Sequence, residues 1–288
     1  MKKIVGLIFA GIFAFGMGFG TASKEKKVLL DAPDGKKYEF VIGTASENGS
    51  YYKAGLRLEK TLNNTRAFTT DGSWQNMELL NEGLINVAFV QGDVYNLWLS
   101  NHKSASEKLA VIKTNRTEYV QLIMRKDGDE DDLQSKDAKV FIGLPNSGGA
   151  GSWRNMTLLE PNYGEASAIT GPLDIIALND LADKKFDAII RTCHISLDDE
   201  ILKKVNSNKF IKFKDLDDKD LNDNIEINGK DEPVYNFSKV KIKDSFLGNS
   251  VRMLETHVYV VINTDLTTRK QRGQIIDKIL LYGTGLFE

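Results

Sequence analysis

The chain has 288 residues, of which 38 are basic and 40 acidic, so its formal net charge is −2. This near-neutral balance gives no reason to expect nucleic acid or an acidic membrane surface as a partner. The single cysteine, Cys193, excludes an internal disulfide, and stability must therefore come from packed cores.

The first 23 residues have the pattern of a secretory signal peptide. Lys2 and Lys3 precede an apolar run from residue 4 to residue 19, and the small residues at 21–23 offer a cleavage site. The pattern predicts export to the periplasm with residues 1–23 removed, and an uncleaved anchor is the alternative. The rest of the chain is long enough for two domains of ordinary size.

A strand, a polar turn and a helix are predicted near the start of the mature chain. The run YEFVI at 38–42 is typical of a strand, small and polar residues follow at 43–50, and apolar residues recur at helical spacing over 51–62. The start of a helix carries partial positive charge. We therefore interpret this turn as half of a binding site for a small anion. An ordinary capped turn between strand and helix is the alternative.

Two further predicted strands end in polar residues. A strand at 66–70 is followed by a helix that Asp71 or Ser73 would cap. An apolar strand at 85–90 leads into Gln91-Gly92-Asp93. Open α/β sheets bind ligands beyond the carboxyl ends of their strands, so these three strand ends predict one binding region.

A second unit of the same kind follows later in the chain. A strand at 139–143 leads into a glycine-rich turn at Asn146–Gly149, and Ser152 would cap the next helix. Two such turns on two lobes imply a cleft between them. Two more strands, at 119–124 and 256–262, would cross between the lobes as a hinge.

Arg191 follows a strand predicted at 185–190. Its guanidinium would face the cleft and clamp a carboxylate with two parallel hydrogen bonds. An arginine in a surface salt bridge is the alternative. Residues 196–250 are charged and predict an irregular, solvated segment, and a final amphipathic helix is predicted at 267–281.

Three stretches of sequence carry a family resemblance: GTASENGSYYKAG, GSWQNMELLNEGLINVAFVQGD and VFIGLPNSGG. In this order they resemble the signatures of the TAXI group of periplasmic solute-binding proteins, which feed TRAP transporters. The likeness runs from about Tyr38 to Leu159. It implies an α/β, two-lobed type II periplasmic binding fold with a hinge of two crossing strands. Lobe 1 would comprise residues 38–122 plus 256–288, and lobe 2 residues 125–250.

The resemblance also implies a receptor rather than an enzyme, without a cofactor or a metal. It would capture a small carboxylate, such as glutamate or a 2-oxo or dicarboxylic acid, by lobe closure and deliver it to TRAP-type permease subunits. We expect a monomer. Gly149 departs from the family's usual threonine, and Asn48 from its usual glycine. The predicted ligand-binding residues are Thr44, Ser46, Gly49, Ser50, Tyr51, Ser73, Asn76, Gln91, Asn146, Ser147, Gly148, Gly149 and Arg191.

Several other classes of site are disfavoured by spacing. Cys193 and His194 are adjacent, so their side chains diverge from a strand and do not form a thiol–imidazole pair. The three histidines lack zinc-type spacing. The acidic runs at 127–132 and 215–223 do not match a calcium-binding EF-hand loop and are interpreted as solvated loops. The first glycine turn lacks a phosphate-binding lysine.

Two alternatives to a carboxylate receptor stay open at this point. One is a binder of a small nitrogen heterocycle, on which Trp74, Tyr51 and Tyr52 would stack. The other is a structural or adhesion protein at the cell surface that reuses the fold without transport.

Overall fold

The computed structural model describes residues 28–227, 230–243 and 250–288. The predicted signal peptide at 1–23 lies outside the described residues. Within the described part of the chain, no helix has the length and apolar character needed to cross a membrane.

Strands and helices alternate through most of the chain. The strands are β1 (Leu30–Asp31), β2 (Lys37–Tyr38), β3 (Phe40–Gly43), β4 (Thr65–Phe68), β5 (Val87–Gln91), β6 (Leu109–Arg125), β7 (Lys139–Phe141), β8 (Ser167–Ile169), β9 (Ala188–Cys193), β10 (Ile211–Lys214), β11 (Asn224–Ile227), β12 (Lys230–Pro233), β13 (Asn236–Lys241) and β14 (Ser250–Asn263). The α-helices are α1 (Ser50–Thr61), α2 (Ser73–Glu82), α3 (Gly92–Asn101), α4 (Gly148–Leu159), α5 (Ile175–Ala182), α6 (Glu200–Ser207) and α7 (Arg269–Tyr282). Short 3₁₀ helices lie at Lys103–Lys108, Glu130–Gln134, Pro161–Glu165, Lys219–Asn222 and Gly283–Phe287.

One mixed sheet of ten strands organises the molecule, with the order β4-β3-β5-β14-β6-β9-β7-β8 along its main path. β3 pairs in parallel with β4 and β5, and β7 pairs in parallel with β8 and β9. We call the half around β3 lobe 1 and the half around β7 lobe 2. The antiparallel strands β14 and β6 lie between them, and β13 and β10 pair with these two.

Two long strands belong to both lobes. β6 has 17 residues and β14 has 14. β14 pairs with β5 in lobe 1 through residues 258–262 and with β13 through residues 250–255. β6 pairs with β9 of lobe 2 through residues 119–124. The predicted two-lobed α/β fold with two crossing strands is confirmed, and the strands predicted at 119–124 and 256–262 are parts of longer ones.

Lobe 1 is built around strands that are buried on both faces. Every residue of β3 and β5 is buried, as expected for parallel strands covered by helices on each side. Leu58 of α1 and Ile275 of α7 pack on one face, and Met77 of α2 and Trp98 of α3 pack on the other. Each such fully buried side chain contributes about 1.5–3 kcal/mol, and this packing fixes the turns at the ends of the strands.

The start of α4 differs from the prediction. The helix begins at Gly148 and is capped by the hydroxyl of Ser147, whereas the predicted cap, Ser152, is buried inside it. The glycine-rich first turn has no apolar periodicity that could indicate a helix. Its position is set by packing between the lobes, because a Cβ at Gly151 would lie 2.4 Å from Cγ2 of Val94.

The expectation of an irregular segment at 196–250 is wrong, because its described residues include α6 and the strands β10 to β13. In β10 the buried residues Ile211 and Phe213 alternate with lysines, and the high charge hides this pattern. The solvated-loop interpretation of the first acidic run is also wrong at Glu130. That carboxylate is buried and accepts a hydrogen bond from the hydroxyl of Tyr163 at 3.0 Å.

Candidate functional site

A cavity of about 450 Å³ lies between the two lobes. It is placed where β3, β4, β5, β7 and β9 end, so turns from both halves of the sheet meet around it. Lobe 1 lines it with Ala45, Ser46, Gly49, Ser50, Tyr51, Thr70, Asp71, Gly72, Ser73 and Gln91. The remaining lining residues are Glu118 of β6, and Ile142, Gly143, Leu144, Ser147, Gly148, Gly149, Pro172, Leu173, Ile190, Arg191, Thr192, Cys193 and Ile201. A second cavity, of about 550 Å³, lies beside β10 and receives neither glycine-rich turn.

Four helices begin at the interlobe cavity. The residues that precede α1, α2, α3 and α4 are Gly49, Gly72, Gln91 and Ser147, and all four line it. The residues that precede α1, α2 and α3 do not cap these helices with their side chains. The predicted capping of α2 by Asp71 or Ser73 is wrong, because the helix follows Gly72 and Ser73 is its first residue. The first amides of an α-helix have no partner within the helix. Those amides therefore create a positive potential at the cavity.

The start of α3 is compensated by an acid of its own. Asp93 is fully buried, and one of its carboxylate oxygens accepts hydrogen bonds from Ser152 at 2.6 Å and from Tyr235 at 2.8 Å. Its backbone amide donates to the hydroxyl of Thr256 at 3.1 Å. Burial raises the pKa of Asp93, and the hydroxyl donors oppose that shift. Because the carboxylate of Asp93 already compensates the positive start of α3, a ligand anion can use the starts of α1, α2 and α4.

The turns of the two lobes touch each other at two glycines. A Cβ at Gly148 would lie 1.4 Å from Oε1 of Gln91. Gly72 has a φ of +131°, a conformation that side chains rarely adopt, and a Cβ there would lie 3.1 Å from Cα of Ser147. Glycine at these two positions lets the lobes approach closely around the cavity.

Ten of the thirteen predicted ligand-binding residues line the cavity: Ser46, Gly49, Ser50, Tyr51, Ser73, Gln91, Ser147, Gly148, Gly149 and Arg191. The other three, Thr44, Asn76 and Asn146, do not. The hydroxyl of Thr44 donates to the carbonyl of Phe68 at 2.7 Å, and the amide of Asn76 donates to the carbonyl of Thr44 at 2.6 Å. The amide of Asn146 donates across the lobes to Asp71 at 3.4 Å. These three side chains hold the turns in place.

Arg191 lines the cavity with its guanidinium engaged by a neighbouring acid. It donates two hydrogen bonds to the two carboxylate oxygens of Asp199, one of them from Nη1 at 3.0 Å. Burial would raise the pKa of Asp199, but the bonds from Arg191 hold it below its usual value. Arg191 therefore forms a salt bridge, but not the surface salt bridge of the alternative interpretation, because both side chains are largely buried and Arg191 lines the cavity.

Glu118 is a residue of the cleft that the sequence analysis missed. Its side chain is only 4% exposed, lines the cavity and accepts a hydrogen bond from the hydroxyl of Tyr51 at 3.0 Å. Burial raises its pKa to about 7, against the opposing effects of Tyr51 and Arg116. Glu118 precedes the predicted strand by one residue, and the polar run at 113–118 gave no local signal that β6 extends back to Leu109 or that this acid is buried.

Cys193 is also in the cleft wall, without a base to activate it. Its thiol accepts a hydrogen bond from Nε2 of Gln121 at 3.0 Å, and burial raises its pKa. A ring nitrogen of His194 lies 2.8 Å from the carbonyl of Thr117. The thiol is therefore held in its neutral form rather than as a nucleophilic thiolate.

The three aromatic residues considered for stacking differ in their positions relative to the cavity. Trp74 and Tyr52 are absent from the cavity lining, and the guanidinium of Arg154 lies 4.5 Å from the centre of the Trp74 ring. Tyr51 packs against Phe89, with ring centres 5.8 Å apart. Of the three residues considered for stacking, only Tyr51 therefore lines the interlobe cavity.

Comparison with protein families gives one match. The model of the NMT1-like family matches residues 42–223, a stretch that includes both glycine-rich turns. A search of curated proteins found no match.

Solved structures of similar shape come from bacterial proteins. XAC2383 from Xanthomonas citri, bound to ATP, is similar with a TM-score of 0.51 and 10% identity, over 84% of this chain and 82% of that one. A structure reported for glutathione import in Streptococcus mutans via GshT and the cystine ABC importer TcyBC has a TM-score of 0.49 and 12% identity, over 86% and 91%. The amino acid ABC transporter substrate-binding protein AbpA from Streptococcus pneumoniae, bound to L-arginine, has a TM-score of 0.46 and 14% identity, over 85% and 89%. The likeness to XAC2383 shows a shared fold.

Proposed function

We propose that this chain, which belongs to the NMT1-like family, is an extracytoplasmic receptor that captures a small carboxylate between its two lobes. The observation that carries the proposal is the meeting of three helix starts, those of α1, α2 and α4, at one interlobe cavity. Helix starts attract anions. Two of these starts belong to lobe 1 and one to lobe 2, so a bound anion contacts both lobes.

The proposed activity is binding without chemistry. The neutral thiol of Cys193 and the imidazole of His194, which contacts a backbone carbonyl, supply no nucleophile–base pair. A receptor needs only donors that are arranged in advance, and helix amides held by packed strands provide them. A glutamate-like amino acid or a 2-oxo or dicarboxylic acid fits this donor set.

Ligand capture would proceed by closure of the lobes. Residues 38–122 and 256–288 would move against residues 125–250, with β6 and β14 as the hinge. The ligand shifts the equilibrium to the closed form by its greater affinity for that form. Small-angle X-ray scattering should show compaction on adding ligand, and identical curves would contradict closure.

The closed receptor would deliver its solute to a TRAP-type membrane permease from the periplasm, as a monomer. The resemblance of the turns at 43–55 and 140–149 to the TAXI group supports this partner. Uptake of the solute by cells that lack this protein should fall and recover when the protein is restored. Uptake that does not depend on the protein would contradict the delivery role.

Thermal unfolding in the presence of amino acids, 2-oxo acids and dicarboxylates tests the proposal directly. A ligand at 100 times its dissociation constant adds about 2.7 kcal/mol to the free energy of unfolding. We expect such a shift for at least one carboxylate, and its loss in the variant Gly49→Asp, which places a carboxylate at the start of α1. A flat response to all compounds would overturn the proposed function.

A further inference from the structure

We infer that the ligand of the cleft is an amino acid, whose protonated amine is bound by the carboxylate of Glu118 while its carboxylate lies at the helix starts. This inference rests on the proposed function and narrows it. It separates amino acids from the 2-oxo and dicarboxylic acids that fit the helix starts equally well.

Glu118 is a buried acceptor with an incomplete set of partners. Its carboxylate lines the cavity, and Tyr51 is the one hydrogen-bond donor that reaches it among the described residues. A carboxylate has room for about four donors, and a buried one costs free energy unless donors or a cation satisfy it. The part of its acceptor capacity that faces the cavity is therefore open to a donor on the ligand.

No protein cation within the described ranges forms an ion pair with Glu118. Arg116 lies two residues away on the same strand, and its guanidinium stands 5.5 Å from the centre of the Phe287 ring. Arg191, on the neighbouring strand β9, is already paired with Asp199. A cationic group on the ligand would supply the missing charge.

The charged and titratable groups around Glu118 come from four elements. Tyr51 of α1 donates to it, Arg116 shares its strand, Asp93 of α3 raises its pKa, and the neutral thiol of Cys193 faces it from β9. Burial is the largest influence and brings the pKa to about 7. An ammonium group would favour the ionised carboxylate and lower that pKa.

Gln91 is a second buried residue of the cavity with a polar group that lacks a partner. Its side chain is 3% exposed, lines the cavity and holds Oε1 against Gly148. Its Nε2 has no hydrogen-bond partner among the described residues. A buried amide donor without a partner is rare, and a ligand carboxylate at the helix starts would accept its hydrogen bond. The cleft thus offers both an unpaired donor and an acceptor with room for further donors.

Matched pairs of compounds test the inference by calorimetry: glutamate with 2-oxoglutarate, alanine with pyruvate, and phenylalanine with phenylpyruvate. We expect the amino acid of the best-binding pair to bind about thirtyfold more tightly than its 2-oxo acid at pH 8. The preference should fall as the pH drops below 7, by up to about tenfold per pH unit, because Glu118 must lose a proton to accept the amine.

The variant Glu118→Gln should reduce the amino-acid preference to within about threefold and remove its pH dependence. It should also remove the proton release that we expect when an amino acid binds the unsubstituted protein below pH 7, which calorimetry in buffers of different ionisation enthalpy measures. Glu130→Gln is the matched control. Glu130 is also buried with a pKa raised to about 7, but its oxygens accept from Tyr163 and from the amide of Asp217, away from the cavity. That variant should keep the preference and its pH profile.

The outcomes distinguish this inference from the proposed function. If 2-oxo acids bind as tightly as amino acids, or if Glu118→Gln keeps the preference, the role of Glu118 is overturned while the carboxylate receptor stands. If no compound of either kind binds, the proposed function itself is overturned.

Discussion

The helices at the cleft and the helices away from it begin in different ways. Of the helices at the cleft, α1 and α2 follow glycines and have no side-chain cap among the described residues. The other helices are capped by acids or a hydroxyl. Asp174 and Thr268 cap α5 and α7, whose own residues do not line the cavity, and Asp199 caps α6, whose Ile201 does line it. Each of these side chains accepts a hydrogen bond from a first-turn amide. A side-chain cap satisfies one of the free amides, so it stabilises a helix, and a carboxylate cap such as Asp174 or Asp199 also repels an outside anion.

The helices at the cleft also differ among themselves. α3 is not capped by Gln91, the residue before it, but the first-turn amide of Asp93 donates to the hydroxyl of Thr256. The carboxylate of Asp93 is held by Ser152 and Tyr235 from other parts of the chain. α4 is capped by Ser147, which leaves the amides of Gly148 and Gly149 without a partner within the helix. Some helix starts are therefore satisfied by the protein's own side chains and stabilise the fold, whereas others keep free amides that a ligand can use. Four substitutions test this division, from the largest expected effect to the smallest.

Removing the acid of α3 should have the largest effect. Asp93→Ala leaves the buried hydroxyls of Ser152 and Tyr235 without their acceptor, and it should lower the free energy of unfolding by about 3–5 kcal/mol. Urea denaturation measures this loss. Asp93→Asn, which keeps an acceptor oxygen, should lose clearly less. A loss below about 1 kcal/mol for Asp93→Ala would show that α3 does not depend on this acid.

Adding an acid to α1 should abolish ligand binding. Gly49 has ordinary extended angles, and a Cβ there would lie 3.0 Å from the carbonyl oxygen of Ser46, so a small local shift admits a side chain. In Gly49→Asp the new carboxylate accepts hydrogen bonds from the free amides at the start of α1 and repels a ligand anion. We expect affinity to fall at least about 100-fold, or about 2.7 kcal/mol, with stability changed by only a few tenths of a kcal/mol. Calorimetry with the best-binding carboxylate measures the change.

Gly49→Asn is the uncharged control for that prediction. It has the size of aspartate without the charge, so its loss of affinity should be much smaller. Equal losses in the two variants would mean that bulk rather than charge blocks the site.

Enlarging Gly148 should separate the two lobes locally. The added methyl of Gly148→Ala collides with the side chain of Gln91, which must leave its buried position. We expect a loss of about 1–3 kcal/mol in stability and about tenfold in affinity. Gly273→Ala is the control, because that glycine lies inside α7 with no atom within 4 Å of the new methyl. It should stabilise the protein by about 0.5–1 kcal/mol and leave binding unchanged.

Removing an outer cap should affect stability alone, and by the least. Thr268 caps α7 and exchanges hydrogen bonds with Gln271, so Thr268→Ala should cost about 1 kcal/mol of stability. Thermal unfolding and calorimetry on the same sample measure stability and affinity together. A change in affinity of more than about twofold would show that the cap of α7 influences ligand binding, and would contradict the distinction between the two kinds of helix start.

The sequence predicted the two glycine-rich turns because their signals are local. Apolar strands such as 85–90 and small polar residues after them are patterns that a single stretch of chain carries. The crossing strands were predicted for the same reason, and so was α7, which lies at 269–282 against the predicted 267–281.

Features set by distant packing could not be predicted in this way. The burial of Glu118 depends on Tyr51, which is 67 residues earlier in the chain. The start of α4 depends on the contact of Gly151 with Val94 of the other lobe. The predicted strand placed Arg191 at the cleft, but its pairing with Asp199 could be predicted only from the position of α6. That helix lies in the charged segment that the sequence analysis interpreted as irregular.

The position of β14 in the sheet has a consequence for the folding of the chain. This strand lies between β5 and β6, although a long stretch of chain separates it from both. The sheet cannot close until β14 has been synthesised, and the edges of β5 and β6 that pair with β14 stay unpaired until then. Such late, long-range pairing slows folding and exposes edges that promote aggregation. A chain truncated before residue 250 should therefore accumulate in inclusion bodies rather than fold as a smaller domain.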